Sequence, residues 1–131
     1  MIKFKYTILY VENVGKSIEF YNKAFDFKTI FITPENDYGE ILTGDTTLSF
    51  ASYKLANSNI KEGFIKSKLE NKSFGIELGF TTENIEEVYG NAIKFGATKV
   101  EEISEKPWGQ KVAYVRDLDG FLIEICTEIL S

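Results

Sequence analysis

The stretch Lys106-Pro-Trp-Gly-Gln-Lys-Val-Ala-Tyr-Val-Arg-Asp-Leu-Asp-Gly-Phe-Leu-Ile-Glu-Ile125 reads as loop, strand, tight turn and strand. Pro107 and Gly109 mark the loop, Gln110 to Arg116 is a β-prone run, Asp119-Gly120 makes the turn, and Phe121 to Thr127 is the closing strand. That last strand carries a carboxylate, Glu124, in an otherwise apolar run. Burying an unpartnered glutamate costs on the order of several kcal/mol. Glu124 is therefore expected to face a cavity or a bound group.

Upstream, Phe74 to Thr81 reads as a strand and Asn84 as the N-cap of a helix. Apolar positions Ile85, Val88, Tyr89, Ala92 and Ile93 form one stripe of that helix, and Gly96 is placed to end it in a left-handed cap. A strand follows near Thr98 to Ile103. The first half runs in the same order. Phe4 to Val11 is a strand, and Asn13, helped by Ser17, caps a helix with its stripe at Val14, Ile18, Tyr21 and Phe25. Phe27 to Thr33 is a strand, Pro34 to Asp37 a turn, and Tyr38 to Thr43 and Thr46 to Ser52 flank the hairpin signal Gly44-Asp45.

Both halves thus read strand, helix, strand, strand, strand. Val11-Glu-Asn-Val14 matches Thr82-Glu-Asn-Ile85 at a shift of 71, and Tyr38-Gly39 matches Trp108-Gly109 at a shift of 70. Near-identical offsets with matching element order indicate an internal repeat. The expected fold is α+β: one domain over 1–131, built from two tandem βαβββ modules (about 1–53 and 73–131) whose cupped sheets enclose a cavity. The polar connection 54–72 carries a weak helical stripe at Ile60, Phe64, Ile65 and Leu69 and reads as a flap.

Composition excludes several functions. Net charge is -5 with acids spread along the 131 residues, so the clustered basic face of a nucleic-acid binder is absent. Met1 to Lys5 alternates instead of forming a charged start and an apolar run, so no signal peptide is expected. No apolar stretch approaches the roughly 20 residues needed to span a bilayer. One cysteine, Cys126, cannot form an intrachain disulfide, which fits a reducing cytoplasm. The chain has no histidine. That removes Ser-His-Asp and Cys-His catalysis, histidine-based zinc sites and imidazole proton transfer together.

The element order, with Glu77-Leu-Gly-Phe80, Pro107-Trp-Gly-Gln110 and Arg116-Asp-Leu-Asp-Gly-Phe-Leu-Ile-Glu124, resembles the vicinal oxygen chelate superfamily. This group includes the glyoxalases, bleomycin-resistance proteins and extradiol dioxygenases, and the likeness covers nearly the whole chain. Metal-using members place a ligand on the first and on the last strand of each module. By resemblance those places are Tyr6, Ser49, Glu77 and Glu124. Tyr6 and Glu77 stand 71 apart, the repeat shift found from other residues. The two glutamates keep metal-binding chemistry, whereas tyrosine and serine are poor ligands for transition metals, which prefer imidazole or thiolate beside carboxylate. No cofactor is expected; a divalent metal, if present, would rest on Glu77 and Glu124.

Strand parity supports this register. With Glu124 facing the cavity, Leu122 and Cys126 follow it, and Phe121, Ile123 and Ile125 face the helix. With Glu77 inward, Gly79 and Thr81 follow, and Ile76, Leu78 and Phe80 pack against the second helix. The resulting candidate ligand-binding residues are Tyr6, Tyr10, Ser49, Glu77, Trp108 and Glu124. Two carboxylates in one low-dielectric site repel, so one should take up a proton or meet a cation. Trp108 is a stacking platform, a packing residue or part of a dimer contact. Glu124 is a ligand-facing acid or a remnant bonded to a hydroxyl or to Glu77. Arg116 is expected to pair with Asp117 or Asp119. Cys126 reads as a small buried apolar residue.

Three functions are open. The first is a metal-independent binder of a small cationic or aromatic ligand in an acidic cavity, resembling the bleomycin-resistance branch and expected to be a homodimer. The second is a metal-dependent lyase or isomerase of glyoxalase type, or a dioxygenase-like enzyme, using Glu77 and Glu124. The third is an interaction module with a vestigial site.

Overall fold

The structure, a computed structural model, describes residues 1–129. Its elements are β1 (Tyr6–Val11), α1 (Val14–Phe25), β2 (Lys28–Ile32), β3 (Tyr38–Thr43), β4 (Thr46–Ser52), α2 (Tyr53–Asn59), β5 (Glu77–Thr81), α3 (Ile85–Lys94), β6 (Thr98–Glu105), β7 (Lys111–Arg116) and β8 (Leu122–Cys126). The strands form two four-stranded sheets, ordered β1-β4-β3-β2 and β5-β8-β7-β6. In each, the first and last strands of a module pair in parallel and the other neighbours pair antiparallel. The chain divides into two compact units, 1–22 with 26–66, and 23–25 with the chain from Ser67 onward.

In the first unit, Asn13 has extended backbone and its Oδ1 accepts a 3.1 Å bond from Lys16 N, satisfying one of the orphan donors of α1. Asn36, in the turn before β3, reaches back to accept from Gly15 N at 2.8 Å. Ser17 lies inside the helix and is buried, its backbone N–H donating to Asn13 O at 3.0 Å. Val14, Ile18 and Tyr21 are fully buried, each worth about 1.5–3 kcal/mol of apolar burial. Tyr21 packs on Phe50, their rings 5.3 Å apart, and Leu9, Val11, Ile41 and Leu48 are buried on the same parity of β1, β3 and β4. Gly39 lies on this face: a Cβ there would come within 2.6 Å of Ile18 Cδ1.

The second unit repeats the plan. Asn84 Oδ1 accepts from Glu87 N, and Gly96 (φ 113) follows the C-cap Phe95. Ile85 and Ala92 are buried, as are Ala113, Val115, Ile123 and Ile125 on the facing strands. The β7–β8 turn is tied together by one buried carboxylate. Asp117 Oδ1 accepts from Asp119 N and Phe121 N at 2.9 and 2.8 Å. Arg116 donates to backbone carbonyls of Gly120, Lys68 and Leu69, which binds the connection to this turn.

Several boundaries differ from expectation. β1 begins at Tyr6, and Phe4 is exposed. β5 begins at Glu77, leaving Ile76 exposed instead of packed on α3. Helix in the connection falls at Tyr53–Asn59, not on the stripe from Ile60 to Leu69. Ser52 Oγ caps it by accepting from Leu55 N, while Gly63, at φ 76, turns the chain away from helix beyond it. Among the described residues, no helix is long and apolar enough to cross a membrane.

Candidate functional site

Strand register sorts the site residues into two matching rows. Across β1, β4 and β3 the row is Ile8, Ser49 and Glu40; across β5, β8 and β7 it is Gly79, Glu124 and Tyr114. Tyr6 and Glu77 stand two residues before the first member of each row and share its face. Tyr6 and Glu77, and Ser49 and Glu124, are therefore structural equivalents, as the repeat implied.

In the second unit, Gly79 has no side chain to cover Glu124; a Cβ there would lie 3.9 Å from Glu124 Oε1. Tyr114 Oη donates to Glu124 Oε2 at 2.9 Å. Glu77, exposed as a residue, has a raised carboxyl pKa. Partial withdrawal from water is the main cause, followed by the Glu124 charge, and the Tyr114 hydroxyl pulls the other way. The expected repulsion of the two carboxylates is thus expressed on Glu77. Tyr114 is itself held protonated, by burial first and then by its bond to Glu124. Cys126 is buried, and burial with the neighbouring Glu124 pushes its thiol up to about 11. Tyr114 was missed in the sequence, although Tyr114 and Glu124 are equidistant from Asp119 at the turn.

The first unit has a different chemistry at the same places. Ser49 is fully buried, with 0% exposure, and its Oγ has no hydrogen-bond partner of normal geometry among the described residues. Beside it, Tyr38 Oη donates to Glu40 Oε2 at 2.7 Å. Burial pushes the Tyr38 phenol up to about 12, with Glu40 adding to the rise and the nearby Ser49 hydroxyl opposing it. Tyr6 is partly exposed on this face. Tyr10 is half-buried beneath Phe64, their rings 4.7 Å apart, so part of the connection covers it.

Trp108 is 61% exposed on the β6–β7 turn, its Nε1 donating to Gln110 Oε1. It lines a cavity of about 680 Å³ with Thr82, Glu86, Lys111, Thr127 and Glu128. Glu77, Glu124 and Tyr114 are not in that lining. Lys111 Nζ meets Glu86 Oε1 at 3.3 Å, and Glu86's pKa is lowered by its own backbone N–H and then by Lys111.

The donor set does not fit a transition-metal centre. No histidine is available, and among the described residues no three Cys, Asp or Glu side chains gather as ligands.

A glyoxalase-like domain profile matches residues 4–130. The chain belongs to the glyoxalase-like domain family. With it comes membership of the vicinal oxygen chelate superfamily, as the closing motif implied. Solved structures similar to this glyoxalase-like domain include a glyoxalase-related enzyme from Fulvimarina pelagi, with TM-score 0.81 and 15% identity over 98% of this chain and 89% of that one. A hypothetical protein from S. aureus shares 25% identity at TM-score 0.77, over 98% and 95% of the two chains. A glyoxalase/bleomycin resistance protein/dioxygenase family enzyme from Burkholderia phytofirmans gives TM-score 0.76 and 18% identity, over 98% of this chain and all (100%) of the other. No curated protein matches this chain.

Proposed function

We propose that this glyoxalase-like domain binds a small cationic molecule, aromatic cations included, without a metal. The observation that carries the reading is the Tyr114-backed carboxylate of Glu124 beside Glu77, whose raised pKa makes the pair receptive to a positive charge. A cation placed there offsets the Glu124 charge, which together with burial raises the Glu77 pKa. In the same unit, Trp108 offers a flat aromatic surface beside a cavity of its own, a second place for a planar group. The protein acts in the cytoplasm as a homodimer, and nucleic acid is not a partner, in keeping with the net charge of -5.

Thermal-shift screening of chelator-treated protein against cationic and matched neutral aromatic compounds tests this. Cationic compounds should raise Tm and their neutral counterparts should not; equal responses, or none, contradict it. The alternative, a glyoxalase-type lyase or isomerase holding a divalent ion on Glu77 and Glu124, is favoured by two carboxylates meeting on one face. It requires Ni, Zn or Mn to stabilise the protein and Glu77→Gln with Glu124→Gln to abolish that effect.

A further inference from the structure

On the first sheet, the face turned away from α1 carries Glu40, Tyr38 and Phe31, none of them a place in the metal-ligand pattern. Glu40 on β3 sits in register between Ser49 on β4 and Phe31 on β2. Its Oε2 is held by the Tyr38 hydroxyl, and the Phe31 and Tyr38 rings stand 5.8 Å apart beside it. Glu40 is half-buried as a residue. Behind it lies the Ser49 hydroxyl, fully buried and without a hydrogen-bond partner of normal geometry. Ile8 and Leu42, on the same face, are exposed large apolar side chains.

We infer that this face is a recognition site for a primary alkylammonium group, with Glu40 as the contacting carboxylate. The chemistry matches point by point. A carboxylate with one oxygen taken by a neutral phenol offers the other oxygen to an N–H donor. Aromatic faces on its flank attract a cation by their quadrupoles. Ile8 and Leu42 give the alkyl chain an apolar surface to cover. Ser49 does not touch the ligand. It is a positioning residue, standing next to Tyr38 as a second partner for the phenol when the Glu40 charge is engaged. A hard divalent ion is a poor occupant, because such ions need about six oxygen ligands and one carboxylate is present here.

The site is carried by the first unit alone, and its test is separate from that of the Glu77–Glu124 pair. The probe is n-butylammonium chloride, with n-butanol as its neutral match, added to full-length protein labelled with ¹³C in its aromatic rings. Butylammonium should shift the Tyr38 and Phe31 ring signals saturably, at least tenfold more tightly than butanol. Glu40→Gln should weaken that binding at least tenfold, and Tyr38→Phe should weaken it several-fold. The wild-type comparison of the two probes needs no variant and stands if a variant fails to fold. Equal response to both probes, no response of Tyr38 and Phe31, or shifts confined to Tyr114 would overturn the inference; the last would leave the second unit's pair as a binder. Ring signals that move on protein dilution but not with butylammonium would assign the face to a second copy of the chain, and would also overturn it.

Discussion

Tyr114 stands directly opposite Glu124 in the β7–β8 register and donates a 2.9 Å hydrogen bond to its Oε2. This one contact orients Glu124, lowers the cost of its partial burial, and acts on Glu77 as well. The Tyr114 hydroxyl pulls the Glu77 pKa down while burial and Glu124 push it up. Tyr114→Phe should therefore raise the Glu77 pKa further, read by ¹³C NMR titration of the glutamate carboxyls. It should also cost about 1 kcal/mol of stability, toward the low end for a hydrogen bond to a charged group because the site is partly wet. An unchanged Glu77 titration would mean that the hydroxyl does not reach it.

Glu77→Gln has a pH-dependent outcome. The folded pKa of Glu77 lies above its unfolded value, so its contribution to stability is full below about pH 4.3 and is lost as pH rises through the folded pKa. The glutamine variant does not titrate. It should match wild type near pH 4 and melt higher at pH 7, by roughly 1–2 °C for an exposed group. A variant that is less stable at pH 7 than at pH 4, relative to wild type, reverses the sign and refutes the raised Glu77 pKa.

Ser49→Ala removes a buried hydroxyl that has no partner of normal geometry among the described residues. Relieving an unsatisfied buried group should leave the protein as stable or raise its stability by up to about 1 kcal/mol, measured by urea unfolding at constant m. A loss of similar size would reveal a bound water or another partner for Oγ.

Gly120 is required twice over. Its φ of 92 lies in the left-handed region, and an added Cβ would meet Arg116 Nη2 at 2.8 Å and the Lys68 carbonyl carbon at 3.0 Å. Gly120→Ala should destabilise by about 2–3 kcal/mol and release residues 68–69 from the turn, which limited proteolysis after Lys68 detects. The Arg116-Asp117 motif that marks the fold is thus structural: one residue latches the connection and the other closes the turn.

The caps at Asn13 and Asn84, the turns at Gly44 and Gly120 and the buried helix stripes were legible because each rests on local chemistry within a few residues. Helix α2 was not. It depends on the Ser52 cap and one buried residue, Ala56, and carries no stripe to read, whereas the stripe that was visible, Ile60 to Leu69, is interrupted by Gly63. The equivalence of Tyr6 with Glu77 and of Ser49 with Glu124 was legible through the repeat. That Ser49 is sealed from solvent, and that Tyr38 and Tyr114 hold the Glu40 and Glu124 carboxylates, depends on packing across three strands. The hairpin centred on Gly44-Asp45 does place Glu40 opposite Ser49, so register arithmetic carried a signal that residue type alone did not.

Metal-independent recognition of a cation by Glu77 and Glu124 is tested most directly by calorimetry of the tightest cationic compound with chelator-treated protein. Titrations near pH 5 in buffers of different ionisation enthalpy report the protons exchanged on binding. A cation that lowers the raised Glu77 pKa should release protons, and Glu124→Gln should abolish both the release and most of the affinity. Binding that needs added metal, or that proceeds in Glu124→Gln with unchanged affinity and no proton release, would contradict it.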